Sequence, residues 1–229
     1  MLRINRQTVW LFDLDNTLHD AGAQVFGPLK QAMGDFIQRE LRVDADEAWR
    51  LNHRYWQRYG ATLLGLQRHH GVRAAHFLHD THRLPGLESR VTGHSHDFAA
   101  LARQPGRKVI LTNAPRAYAH RVLGALGIGR LFADVIAIED MAMFGHLRPK
   151  PDARMLRAVA VRLGVAPQRC VLVEDTLAHQ KSARSLGMGT VWMQRFARRG
   201  NEFGPLAARW SMQPAYVDRR VRKLADLRC

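Results

Sequence analysis

From Lys108 onward the chain alternates short apolar runs with amphipathic stretches, and few architectures accommodate that rhythm. The runs at residues 109–111, 135–138, 171–173, 190–193 and 215–217 have the length and uniform hydrophobicity of strands buried on both faces. The stretches between them, at 116–126, 152–163 and 179–186, repeat apolar residues at helical spacing. Buried strands joined by crossover helices form a parallel sheet, so an α/β, Rossmann-like core is expected. Ligands in such sheets bind beyond the carboxyl ends of the strands, which makes the polar residues after each run the candidate chemistry.

An earlier apolar run, residues 9–12, ends abruptly in Asp13-Leu14-Asp15-Asn16-Thr17. If extended geometry continues past it, Asp13 and Asp15 project to the same side. Two carboxylates that close repel unless one takes a proton or a cation sits beside them, and either arrangement is catalytic apparatus. The run at 109–111 ends in Thr112-Asn113, which offers a hydroxyl, an amide and backbone N–H groups just before a helix that Pro115 helps to start. Such a terminus suits phosphate. The run at 171–173 ends in Glu174-Asp175, a second acid pair at the same sheet edge, and Lys150 is pinned between Pro149 and Pro151 ahead of the next helix.

Between residues 18 and 104 the pattern is helical throughout, with no strand signal. One helix is expected over 24–42. A second opens at Asp44, with Glu47 three residues on as in a capping box, and stops at Gly60. Further helices are expected at 62–70 and 74–82. This block is a separate, all-helical unit.

Composition adds limits rather than an identity. A chain of 229 residues is long enough for a sizeable core with an inserted subdomain. No segment approaches the length of a membrane span, and the short first apolar run, stopped by two acids, does not read as a secretion signal. Two cysteines, Cys170 and Cys229, fit a reducing cytoplasm. The net charge of +15 points to an anionic partner, and the scatter of arginines along helices disfavours a nucleic-acid surface, although Arg195, Arg198, Arg199, Arg219, Arg220 and Arg222 form a loose cluster. His76, His79 and His82 recur every three residues, with no acidic or cysteine ligand to complete a zinc set.

The ordered motifs Asp13-Leu14-Asp15-Asn16-Thr17, Thr112-Asn113, Lys150 and Glu174-Asp175 resemble those of the haloacid dehalogenase-like superfamily of phosphohydrolases. The resemblance spans the chain and implies a Rossmann-like core of residues 1–19 and 97–229, with residues 20–96 inserted as a helical cap. It implies that Asp13 is the nucleophile forming an aspartyl-phosphate, and that Asp15 protonates the leaving oxygen and then activates water. By the same resemblance Thr112, Asn113 and Lys150 hold phosphate. Mg2+ is then held by the Asp13 carboxylate, the Asp15 backbone carbonyl and Asp175, with Glu174 binding directly or through water. One departure is His179, at a position where many relatives carry Asp or Asn.

Within the helical block, Asn52, Tyr55 and Tyr59 share a face and resemble the cap of the pyrimidine 5′-nucleotidase branch, implying a nucleoside 5′-monophosphate substrate. The same residues could instead simply pack the cap. Alternatives are a phosphatase of sugar phosphates or phosphoglycolate and, from another class, a basic nucleic-acid-binding or regulatory protein on the same fold. A dehalogenase proper is disfavoured because it has no use for Asp15.

Overall fold

The computed structural model describes residues 4–196 and 213–227. The chain divides into two compact units, Met1–Ala23 with Val91–Cys229, and Gln24–Arg90.

The first unit is built on a parallel sheet. Its strands are β1 (Val9–Phe12), β2 (Arg107–Leu111), β3 (Asp134–Ile136), β6 (Cys170–Glu174), β7 (Gly189–Met193) and β8 (Arg219–Val221), in spatial order β3-β2-β1-β6-β7-β8. A two-stranded antiparallel ribbon, β4 (Ala142–Met143) and β5 (His146–Leu147), stands apart. Crossovers are made by α8 (Arg116–Ala125), α9 (Ala153–Arg162) and α10 (Leu177–Ser185), and α7 (Ser95–Arg103) leads into β2. β1 is central, and all four of its residues are buried. Its alternation sorts them by face. Val9 and Leu11 join Val109, Leu111 and Leu172 in a cluster closed by Met155, Leu156 and Val159 of α9. Trp10 and Phe12 stack on each other at 5.9 Å between ring centres. Cys170 is a buried free thiol at the foot of β6.

The second unit is all helical: after α1 (Ala21–Gln24), which ends at the unit's first residue, come α2 (Phe26–Leu41), α3 (Ala45–Tyr59), α4 (Thr62–His70), α5 (Ala74–His82) and the short α6 (Leu87–Arg90). Asp44 caps α3 by accepting the Glu47 N–H at 2.8 Å. Only half of the expected capping box is seen there, since the Glu47 carboxylate takes Arg50 Nε at 2.7 Å. Gly60 ends α3 in the left-handed region and donates its N–H to the Trp56 carbonyl. Among the described residues no helix is long and apolar enough to cross a membrane.

The last strand differs from expectation. It lies at Arg219–Val221 rather than 215–217, pairing Val191 with Arg219 and Met193 with Val221. β8 is an edge strand, so one face of its backbone needs no neighbour and its side chains need not be uniformly apolar. The register is set by Asp218, whose carboxylate accepts the Thr190 N–H at 3.0 Å and whose own N–H donates to the Thr190 carbonyl at 3.1 Å.

Candidate active site

β1 and β6 lie side by side in register, Phe12 opposite Val173, so Asp13 and Glu174 leave the sheet at the same level. The Asp13 N–H donates to the Val173 carbonyl at 2.9 Å and carries the ladder one residue beyond the strand. On the other side of β1, the Thr112 N–H donates to the Ile136 carbonyl at 3.0 Å, which holds Thr112 at the end of β2. Asp13, Thr112 and Glu174 are all buried. The Thr112 hydroxyl oxygen accepts the Ala114 N–H at 3.0 Å.

Lys150, only 1% exposed, reaches this edge from the loop before α9. Its Nζ donates to Asp13 Oδ1 at 2.7 Å and to Glu174 Oε2 at 2.6 Å. The Asn113 amide fixes the loop: Nδ2 donates to the Lys150 carbonyl at 3.0 Å, and Oδ1 accepts the Lys150 N–H at 2.9 Å. The Asn113 side chain is therefore spent on positioning Lys150. At the far end of the site, Glu174 Oε1 accepts the N–H groups of Asp175 and Thr176, and His179 Nδ1 lies 2.9 Å from Oε2.

Each of the carboxylates of Asp13, Glu174 and Asp175 places an oxygen within 4.8 Å of the others. The Lys150 ammonium is bonded to two of them, Asp13 and Glu174. Burial and the Glu174 charge push the Asp13 carboxyl up to about 7, against the pull of Lys150. Asp175 is likewise held well above the carboxylate range by burial and by Glu174. Burial acts to raise Glu174 as well, but Lys150 and His179 hold it well below. Three carboxylates gather around one ammonium, and their all-oxygen donor set is what a hard divalent cation prefers. Asp13, Glu174 and Asp175 thus fit a Mg2+ site by both charge and donor type.

Asp15 comes to the site by a turn rather than by continued extension. β1 ends at Phe12, Leu18 N–H closes back on the Leu14 carbonyl at 2.9 Å, and Asn16 takes φ 56°. Asn tolerates that conformation better than most residues, and here its Oδ1 also accepts the Gly22 N–H at 2.9 Å. Asp15 Oδ1 meets His19 Nε2 at 2.8 Å and accepts the Tyr118 hydroxyl at 2.7 Å. Sequence reasoning missed both partners. His19 follows Asp15 by four residues, which is one turn of a reversing chain and the only signal that could have found it. Tyr118, on α8, carried none.

Asn52, Tyr55 and Tyr59 lie on α3 of the helical unit. Thr62 Oγ1 donates to Asn52 Oδ1 at 2.6 Å. Tyr55 is buried, its hydroxyl 2.7 Å from His70 Nε2 and its ring stacked on His69 at 5.4 Å. Tyr59 is half-buried, with its hydroxyl 2.6 Å from His69 Nε2. Of the arginine cluster, Arg195 is engaged by Asp97 and by the Arg222 carbonyl, while Arg198 and Arg199, like Cys229, lie outside the described residues.

Comparison with known proteins gives consistent results. The family described as haloacid dehalogenase-like hydrolase matches residues 8–187. Phosphate metabolism protein 8 of Saccharomyces cerevisiae is 27% identical over 196 residues, which are 80% of this chain and 60% of the yeast protein. The chain thus spans less than two thirds of that relative's length. The fructose-1-phosphate phosphatase YqaB of Escherichia coli is 26% identical over 190 residues, 79% of this chain and 93% of that one. Among solved structures, an HAD phosphatase from Thermococcus onnurineus superimposes with a TM-score of 0.62 at 22% identity, covering 97% of this chain and 96% of its own.

Proposed function

This chain belongs to the haloacid dehalogenase-like hydrolase family, and from that premise we propose that it hydrolyses phosphate monoesters of small molecules through an aspartyl-phosphate on Asp13. The observation that carries the reading is the arrangement at the β1 and β6 ends: Asp13 in contact with a buried Lys150, beside Glu174 and Asp175.

Unaided phosphate monoester hydrolysis is extremely slow, and enzymes accelerate it chiefly by positioning and charge neutralisation. Asp13 attacks phosphorus while Lys150 and the Thr112 hydroxyl hold the phosphoryl oxygens, with Asn113 keeping the Lys150 loop in place. Asp15 gives its proton to the ester oxygen as the alcohol leaves, then takes one from the water that cleaves the acyl phosphate. Asp13, the Asp15 backbone carbonyl, Asp175 and Glu174 are the groups that would hold Mg2+. When bound, the ion offsets the charge of phosphate and carboxylates together.

The substrate class is a small phosphorylated metabolite, with the helical unit as a cap that selects it. A sugar phosphate is favoured by the likeness to the fructose-1-phosphate phosphatase YqaB, which matches most of the chain. A nucleoside 5′-monophosphate is the second reading, supported by Tyr59, the ring of the α3 pair that stays half-buried. Phosphate release from fructose 1-phosphate, phosphoglycolate, UMP, CMP and p-nitrophenyl phosphate tests both. Wild type should turn over at least one of them, and Asp13→Asn none, with phosphate trapped on the wild-type chain alone. Turnover by Asp13→Asn at the wild-type rate would remove the covalent mechanism.

A further inference from the structure

The reading above leaves two buried groups unused, His19 and Tyr118. Both touch the same atom. His19 is fully buried, its Nε2 lies 2.8 Å from Asp15 Oδ1, and its Nδ1 has no hydrogen-bond partner among the described residues. Burying an unsatisfied ring nitrogen costs stability, and an aliphatic side chain would fill the same space without that cost. Tyr118 is buried as well, and its hydroxyl donates to the same Oδ1 at 2.7 Å.

We propose that His19 and Tyr118 are positioning residues for Asp15, holding Oδ1 so that Oδ2 is the atom that passes the proton to the leaving group. The inference rests on the phosphatase reading and deepens it. Tyr118 donates to Oδ1, and in the tautomer that carries its hydrogen on Nε2 His19 donates to the same oxygen. With both hydrogen bonds accepted at Oδ1, Oδ2 is the better seat for the acidic proton. Two partners arriving from different parts of the chain, the turn after β1 and helix α8, also stop the carboxyl from rotating about its χ2 bond. In the step itself Asp13 forms a bond to phosphorus as the phosphorus–ester oxygen bond breaks. The Oδ2 proton moves to that oxygen, and Asp15 is left as a carboxylate that both partners already face.

A residue that only supports the fold lowers activity on every substrate alike. A residue that aims a proton matters more as the leaving group becomes a poorer anion. The test uses kcat/KM, which reports the steps up to departure of the alcohol, for a series running from 2,4-dinitrophenyl phosphate through phenyl phosphate to an alkyl phosphate. In Tyr118→Phe and His19→Gln the loss should grow along the series, by ~10- to 100-fold more for the alkyl ester than for the dinitrophenyl ester, within the usual contribution of general acid catalysis. Should His19→Gln fail to fold, Tyr118→Phe, which keeps the ring, carries the test alone. Equal losses across the series would overturn the positioning role while leaving the phosphatase reading standing. No phosphate release by wild type from any ester would overturn that reading, and this inference with it.

Discussion

Lys150 shows how one buried cation sets the character of its surroundings. It is 1% exposed and paired with two carboxylates, Asp13 and Glu174, so removing it takes from both buried groups the ammonium they share. Breaking such a pair is far more costly than losing an exposed ion pair, at about 3–5 kcal/mol. Lys150→Met should therefore lower stability to urea by about that amount in metal-free buffer. Added Mg2+ should return part of the loss, because a second cation answers the same charge deficit. A metal-free variant as stable as wild type would mean that the carboxylates simply take up protons. At this scale the sequence showed which residues bear charge but not how their atoms pair. Proline-flanked Lys150 was visible; the Asn113 amide clasping its backbone was not, because the two are 37 positions apart in sequence.

Helices make the next scale visible, and three of them can be tested. On α4, a methyl group at Gly65 would fall 2.1 Å from Tyr55 Cγ, the rigid root of a buried ring on α3. Helix propensity favours Ala over Gly by about 1 kcal/mol, whereas overpacking costs about 1–3 kcal/mol or more. The clash should win, so Gly65→Ala destabilises. Gly34→Ala on α2, with nothing within 4 Å of the added methyl, should stabilise by up to about 1 kcal/mol. Urea unfolding of the pair reads the difference directly, and a stabilising Gly65→Ala would show that α3 and α4 are more loosely packed than described. On α9, Asp152 caps the first turn by accepting the N–H groups of Arg154 and Met155, and burial is outweighed by Arg154 and Arg148 in lowering its carboxyl to about 2. A pKa below the unfolded value of 3.8 means that the contribution is complete at neutral pH and is lost as pH falls from about 5 toward 2. Asp152→Ala should cost about 1 kcal/mol at pH 7, and the gap from wild type should narrow steadily on acidification. A gap independent of pH would mean that the cap acts through packing rather than charge. Asp44 stood out in sequence because capping is a local event within one helical turn, whereas Asp152 was read only as the start of its helix.

At the scale of the whole molecule the metal requirement is the deciding prediction. Excess chelator should abolish phosphate release and Mg2+ should restore it, while Ca2+ should restore it poorly because its longer, looser coordination disturbs in-line attack. Mg2+ should also raise the melting temperature of wild type, an effect lost in Asp175→Ala, since a ligand stabilises only the state that binds it. Full activity in chelator, or a thermal shift unchanged in the variant, would remove Asp175 from the metal site. By itself the sequence determined the parallel core, the helical block between β1 and β2, the three strand ends that bear the acids and Thr112, and the proline-flanked loop that bears Lys150. Those follow from periodicity and from motifs of a few residues, which depend on neighbours along the chain. The tertiary structure alone decided that β8 sits at Arg219–Val221, because an edge strand needs little apolarity and Asp218 sets its register against Thr190. It alone brought Tyr118 to Asp15 across 103 positions and closed His69 and His70 around Tyr55. Such contacts depend on which surfaces meet when the elements pack, and no local pattern in the chain encodes that.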